Sequence, residues 1–279
     1  MRGQLSAPAE ELRTISVSPR SGLPPLLQRR AQMQTVTEGL IIRSRNIGEN
    51  DTAVTVLTRD YGLISAFANG SKRVKSRAAG AAVSPLTYSQ LTLYRGRDSY
   101  IIDDAKALEV FFGLRENIEK LSLAQYFCEL AGEFAPENTE ADELLSLLLN
   151  LLYMLSEDKR TPSFLKPVAE LRMLSCAGYM PDISGCLKCG EENPDNPVFS
   201  LPHAGFFCQQ CSPGGGIAAT PGVINAMRHI CTADDRALFS FKMPESSLKI
   251  LSDISERFLL SQVDRRFKTL EFYKSVKES

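Results

Sequence analysis

The chain has 279 residues, 32 basic against 33 acidic side chains, and 43% hydrophobic residues. That length buries one large core or several smaller ones, and the near-neutral balance excludes a bulk electrostatic attraction to nucleic acid or to a membrane surface. Any such partner has to be met by a local cluster of charge.

Residues 1–33 hold the pair Pro24-Pro25, scattered Arg and Ser, and no sustained apolar period, and read as a disordered extension with Met33 a candidate start. Glu10 and Glu11 argue against a transit peptide. Residues 34–108 carry short runs rich in Val, Ile, Thr, Tyr and Leu, "TEGLIIRSR", "TAVTVLTRD", "YGLISAFANG", "LTYSQLTLYRGRDS" and "YIIDDAKAL", parted by Gly, Asn, Asp and Ser clusters. Five strands in so short a span predict a small barrel, either an OB-fold or an SH3-like barrel.

Helical periodicity begins near residue 109. Leu114, Ile118, Leu121, Ala124 or Gln125, and Cys128 recur near a 3.6-residue period, and runs from Leu144 to Leu155 and from Phe164 to Ala177 follow, with Gly178 as a stop signal. Leu144–Leu155 is the most apolar run and falls well short of the ~20 residues needed to cross a bilayer, so it predicts a buried helix and no membrane partner. Thr220 with Pro221 starts another helical block, and Ser247 is a candidate cap for a helix whose Leu248, Leu251, Ile254 or Ser255, Phe258 and Leu259 form one apolar face. The two blocks, 109–181 and 220–279, are expected to pack as one helical domain, with residues 182–219 inserted between them.

The insert contains "CLKCG" and "FFCQQC", which place Cys186, Cys189, Cys208 and Cys211 at C-x2-C-x18-C-x2-C spacing. Two residues between thiols let both sulfurs of a knuckle face one point, and four thiolates suit tetrahedral Zn²⁺. A site with four protein ligands leaves no position for water, so a single zinc ion with a structural role is expected. The close pairing of these cysteines differs from a scattered disulfide framework and points to a reducing cytoplasm. The spacing of His203 fits neither pair, and Cys128, Cys176 and Cys231 fall on helical patterns, where a thiol reads as a small core residue.

No catalytic constellation stands out, and an enzyme is not expected. The two histidines, His203 and His229, belong to no H-E-x-x-H, and no phosphate-binding G-x-x-x-x-G-K-[ST] or nucleophile-elbow G-x-S-x-G is present. Ser163 and Ser246 begin S-x-x-K matches without the partner motifs, and Gly214–Gly216 beside Pro213 reads as a linker.

The positive charge collects in "GSKRVKSR", which contributes Lys72, Arg73, Lys75 and Arg77 in the connection between the third and fourth predicted strands. Arg43 and Arg45 near the end of the first strand and Arg95 and Arg97 near the turn after the fourth would extend this into a positive rim. Tyr61, Phe67, Tyr88, Tyr94 and Tyr100 supply candidate stacking surfaces for single-stranded nucleic acid in the same barrel.

From residue 34 onward the chain resembles the RecO family of bacterial recombination mediators. The resemblance rests on "TEGLIIRSRNIGENDTAVTVLTRDYGLISAFANGSKRVKSR", "ELRMLSCAGYMPDISGC", the two knuckles with "FSLPHAGFFCQQC", and "RRFKTLEFY", in that order. It implies an α+β chain with a five-stranded N-terminal OB-fold barrel, then an α-helical domain with an inserted four-cysteine zinc-ribbon-like module. It implies a cytoplasmic, nucleoid-associated bacterial protein that binds single- and double-stranded DNA, using the basic motif of Lys72, Arg73, Lys75 and Arg77. It further implies annealing of complementary strands and partnership with RecR and the single-strand-binding protein in loading a RecA-type recombinase. Two other readings follow from the residues alone: a zinc-containing scaffold that binds only proteins, and a zinc-dependent nucleic-acid enzyme, which would need an open metal position.

Overall fold

The computed structural model describes residues 34–47, 51–68, 77–96, 99–263 and 265–277, with the backbone alone for 77–79. The expected N-terminal extension lies outside the described residues. The first five strands are β1 (Gln34–Ile47), β2 (Asp51–Thr58), β3 (Gly62–Ala68), β4 (Thr87–Arg95) and β5 (Tyr100–Val110), and they close a barrel in the order β1-β2-β3-β5-β4. β5 lies between β3 and β4 and runs parallel to β3, and helix α1 (Arg77–Ala82) occupies the connection from β3 to β4. This Greek-key arrangement is the OB-fold, and it rules out the SH3-like alternative.

Strand alternation fills the barrel. Ile64, Ala66 and Ala68 of β3 and Leu91 and Leu93 of β4 point inward, and Ala82 at the end of α1 and Val83 after it join the same core. Alanines at 66, 68 and 105 leave room for the larger Val56, Leu91 and Ile102 in a barrel too narrow for large residues on every strand.

A bulge in β1 resets which side chains face outward. Ile41 pairs with Val56, yet Arg43 pairs with Thr55, so Ile42 is an extra residue. In uninterrupted β-structure Arg43 would share the inward side of Ile41; one extra residue reverses the alternation and turns Arg43 and Arg45 outward. Both are exposed, while Ser44 pairs with the buried Val54.

The outer side of β1 and β2 is covered by helices. Leu40 and Leu57 join the core of the helical domain, and Ile42 packs against it. Backbone bonds fasten the β2–β3 turn to the same body: Leu63 N–H donates to the Pro136 carbonyl at 2.9 Å, and Ala141 N–H to the Arg59 carbonyl at 2.9 Å. Gly62 has a φ of +62°, and a Cβ there would lie 2.0 Å from the Pro136 oxygen, so both conformation and space demand glycine.

A 3₁₀ turn (Phe112–Arg115) leads into α2 (Ile118–Phe134), α3 (Asp142–Ser156), α4 (Pro162–Cys176), α5 (Pro221–Thr232), α6 (Glu245–Gln262) and α7 (Lys268–Lys277). Thr220 caps α5 as expected, its hydroxyl accepting from Val223 N–H at 3.3 Å, and Gly178 takes a left-handed φ of +87° beyond α4. Two expectations shift. Ser247 is not a cap, because α6 starts at Glu245 after Pro244 and Ser247 lies in its first turn. Ile118 is 57% exposed at the start of α2, whose buried surface instead centres on Leu123, Tyr126, Phe127 and Leu130. α2 packs against α3, α4, α7 and the barrel, so its burial is broader than one stripe. Among the described residues no helix is long and apolar enough to cross a membrane.

Charge is buried in the middle of this bundle. Lys166 and Glu170, one turn apart on α4, lie 2.8 Å from each other, and Lys166 is also 3.0 Å from Glu256 of α6. The Glu170 carboxylate accepts from Tyr126 of α2 at 2.8 Å and from Ser255 of α6 at 2.6 Å. Burial opposes the Lys166 charge, but Glu170 and Glu256 outweigh it and hold its pKa above the ordinary value. Lys166→Met strands Glu170 without its cation, and denaturant unfolding is expected to show a loss of about 3–5 kcal/mol. Replacing Glu170 by Gln in the same chain should recover much of that loss.

Candidate nucleic-acid interface and metal centre

Strand register sorts the outer surface of the barrel. Side chains paired across strands share a face, so Arg45, Ala53, Phe67, Ile101 and Tyr94 form one row across β1, β2, β3, β5 and β4. Arg43, Thr55 and Ser65 form the neighbouring row. Arg95 is exposed at the end of β4 and lines a small hollow with Ser65 and Ser99, at the seam where β5 meets β3. The described surface thus carries three exposed guanidinium groups around an apolar strip, of which Ile101 is 37% exposed and Phe67 and Tyr94 are half-buried.

The aromatic candidates divide accordingly. Phe67 and Tyr94 face outward on either side of Ile101. Tyr61 and Tyr100 lie against each other, ring centroids 6.0 Å apart, and pack on the barrel core. Tyr88 is spent on the domain seam: its hydroxyl donates to Glu38, and burial together with that carboxylate raises its pKa to about 12. Lys72, Arg73, Lys75 and Arg97 lie outside the described residues, and Arg77 begins α1.

The four insert cysteines converge. Their sulfurs all lie within 4.8 Å of one another, and Cys189 and Cys208 are 3.8 Å apart. A tetrahedron with Zn–S of ~2.3 Å has S···S edges of about 3.8 Å, so the cluster has the dimensions of a four-thiolate metal site. Three short strands, β6 (Val198–Ser200), β7 (Gly205–Phe207) and β8 (Ile217–Ala218), form the sheet beside it. Each knuckle is a tight turn: Gly190 N–H donates to the Cys186 carbonyl at 2.8 Å with a φ of +77° at Gly190, and Cys211 N–H donates to the Cys208 carbonyl at 3.1 Å.

Backbone N–H groups already favour a thiolate at the centre. Cys208 N–H lies 3.2 Å from the Cys186 sulfur. Burial opposes ionisation of Cys186, but the N–H groups of Cys189, Cys208 and Lys188 prevail and bring its pKa down to about 6. His203 stays out of the cluster, its Nδ1 2.8 Å from the Ser200 hydroxyl and its ring edge-on to Phe207. The other histidine, His229, bonds through Nε2 to the Ala237 carbonyl at 2.9 Å.

Cys128 and Cys231 are buried as expected, and burial raises the Cys128 thiol to about 12. Cys176 corrects the core reading: it is exposed at the end of α4, where its sulfur lies 3.8 Å from Glu143. The end of a helix no longer has a neighbour on every side, so helical spacing alone misplaces this thiol.

Arg228, which no spacing or motif singles out, is the chief tether of the metal module. From α5 it donates to the carbonyls of Ile183, Ser184 and Glu192 and to the side chains of Asn193 and Asn225, with its guanidinium 5.7 Å from the centre of the Phe206 ring. A planar fork with five donors can hold so many acceptors, whereas lysine cannot.

A five-stranded OB barrel, a helical domain around a buried ion pair and a four-thiol module define a modular α+β protein. Two family profiles match: Recombination protein O N terminal over residues 33–111 and Recombination protein O C terminal over residues 115–271. The chain is 34% identical over 242 residues to the DNA repair protein RecO of Acetivibrio thermocellus, covering 86% of this chain and 96% of that protein. It is 31% identical to that of Heliobacterium modesticaldum (87% and 90% covered) and 28% identical to that of Alkaliphilus metalliredigens (86% and 98% covered). The chain belongs to the RecO family of DNA repair proteins.

Arg228→Ala is expected to release the metal module from α5 without unfolding the barrel. Hydrogen exchange should quicken in residues 183–193 while β1–β5 keep their protection, and Arg228→Lys should restore little of it.

Proposed function

We propose that this protein is a recombination mediator that binds single- and double-stranded DNA through the outer face of its barrel and the basic β3–β4 connection. With RecR it helps load a RecA-type recombinase onto DNA coated by single-strand-binding protein, and it anneals complementary strands. The observation that carries the reading is the outward turn of Arg43 and Arg45 by the β1 bulge, beside a strip of Phe67, Ile101 and Tyr94. Cations beside a partly apolar strip suit a flexible single strand, whose phosphates seek charge and whose bases seek flat or apolar surfaces. Lys72, Arg73, Lys75 and Arg77 follow β3, the strand that carries Phe67, in the sequence, and with Arg95 and Arg97 they are the further cations this reading assigns to DNA.

Annealing calls for no general acid or base. It requires two like-charged strands to approach, which a positive surface promotes by displacing their counterions. The four thiolates of Cys186, Cys189, Cys208 and Cys211 hold a structural Zn²⁺, because four protein ligands leave no site for substrate or water. Its role is to keep the inserted sheet folded against α5, since a module so small has little apolar core of its own.

Replacing Lys72, Arg73, Lys75 and Arg77 together by Ala should weaken oligonucleotide binding and slow strand annealing while leaving thermal melting unchanged. On single strands the slope of log K against log salt should flatten by up to roughly 3, at about 0.7 for each phosphate no longer neutralised. Unchanged affinity, slope and annealing would remove the basic connection from the interface.

Metal analysis of the purified chain should find a single zinc. Stripping it with a chelator, or making Cys186→Ser, should lower the melting temperature by ~5 °C or more. A melting curve indifferent to the metal would contradict the structural role.

A further inference from the structure

Between the barrel and the helical domain lies a cleft of about 670 Å³, within the usual range for small-molecule sites. Its walls are partly apolar, with Leu63 and Leu86 from the barrel side and Leu121 from α2. Arg43, Arg115 and Arg265 also line it. Arg265 is already matched, lying 3.0 Å from Glu129 and paired with Glu133 as well, and Glu129 is further engaged by the N–H and hydroxyl of Thr269. Arg43 and Arg115 make no ion pair with any described residue, and both are exposed. The cleft therefore offers two uncompensated guanidinium groups above an apolar floor, a combination that fits an anion carrying an apolar body.

We infer that this cleft receives one unstacked nucleotide of a bound single strand, the base against Leu63, Leu86 and Leu121 and the flanking phosphates on Arg43 and Arg115. The inference rests on the DNA-binding reading above. Arg43 is the link: it lines the cleft and also stands on the outer face of β1, two residues from Arg45. Two residues along a strand span ~6.6 Å, of the order of the spacing between successive phosphates in an extended strand. A strand lying over Phe67 and Ile101 and running past Arg45 would thus reach the mouth of the cleft. Gln125 of α2, exposed at that mouth, offers an amide able to donate to and accept from a base edge. Among the described residues no aromatic ring lines the cleft, so the apolar surfaces of Leu63, Leu86 and Leu121 would meet the base. A paired base cannot enter without leaving its duplex, so this position discriminates single from double strands, whereas phosphate binding alone does not.

The test uses the full chain, oligothymidylate and a blunt duplex of equal length, with Arg115→Ala and Gln125→Glu. Arg115 is exposed on the 3₁₀ turn and Gln125→Glu is nearly isosteric, so both variants should melt like the parent chain. Each should bind the single strand about fivefold more weakly or worse, and Arg115→Ala should lower the single-strand salt slope by about 0.7. Duplex affinity should stay within about twofold, since a paired base does not enter the cleft and no duplex phosphate is then brought onto Arg115. A 4-thiothymidine in the oligonucleotide should cross-link to peptides bearing Leu86, Leu121 or Gln125. Equal weakening on both substrates would make Arg115 an ordinary phosphate ligand and overturn the inference. Unchanged DNA binding, with loss of binding to an acidic leucine-containing peptide, would assign the cleft to a protein partner and overturn it equally. If the parent chain bound neither DNA, the broader DNA-binding reading would fail first, so the two failures are distinguishable.

Discussion

The carbonyl oxygen of Pro136 occupies the space that any side chain at residue 62 would need, and through that close approach the barrel is fastened to the helices. With the β2–β3 turn held by backbone bonds to Pro136 and Ala141, the outer side of Leu40 and Leu57 is committed to the helical core. The rest of the architecture follows from this commitment. One flank of the barrel becomes interior, and the row of Arg45, Phe67, Ile101 and Tyr94 is left to solvent. The cleft is formed where the two bodies part.

Polar groups do the aligning inside the helical domain. An apolar bundle of leucines can slide or rotate with modest loss, because dispersion and burial are not directional. Glu170 is different: it is fully buried, and its oxygens are met only when Tyr126 and Ser255 arrive from α2 and α6 to join Lys166 of its own helix. Arg228 plays the same part for the metal module, fixing through carbonyls a segment that the thiol cluster alone would leave free to pivot. Both devices set the relative orientation of helices and insert, which apolar packing alone leaves loosely fixed.

The bulge at Ile42 and the cleft belong to one design. The extra residue leaves Ile42 packed against the helical domain and turns the next residue, Arg43, outward at the edge of that packing. A single insertion in the strand thus yields an apolar anchor and an exposed cation side by side. The four-cysteine module lies between α4 and α5 in the chain, outside the barrel.

Much was legible in the order of the residues. The four cysteines announce their cluster because metal geometry is local within each knuckle and the pair spacing is strict. The strands and helices announce themselves through alternation and through the cap at Thr220, since both depend on near neighbours in the chain. Tertiary structure alone decided which aromatic residues face out, that Tyr88 is spent on Glu38, that Cys176 lies at the surface, and that Arg228 ties α5 to the four-cysteine segment. Each of these depends on which residues distant in sequence come to lie alongside, and no local period records that.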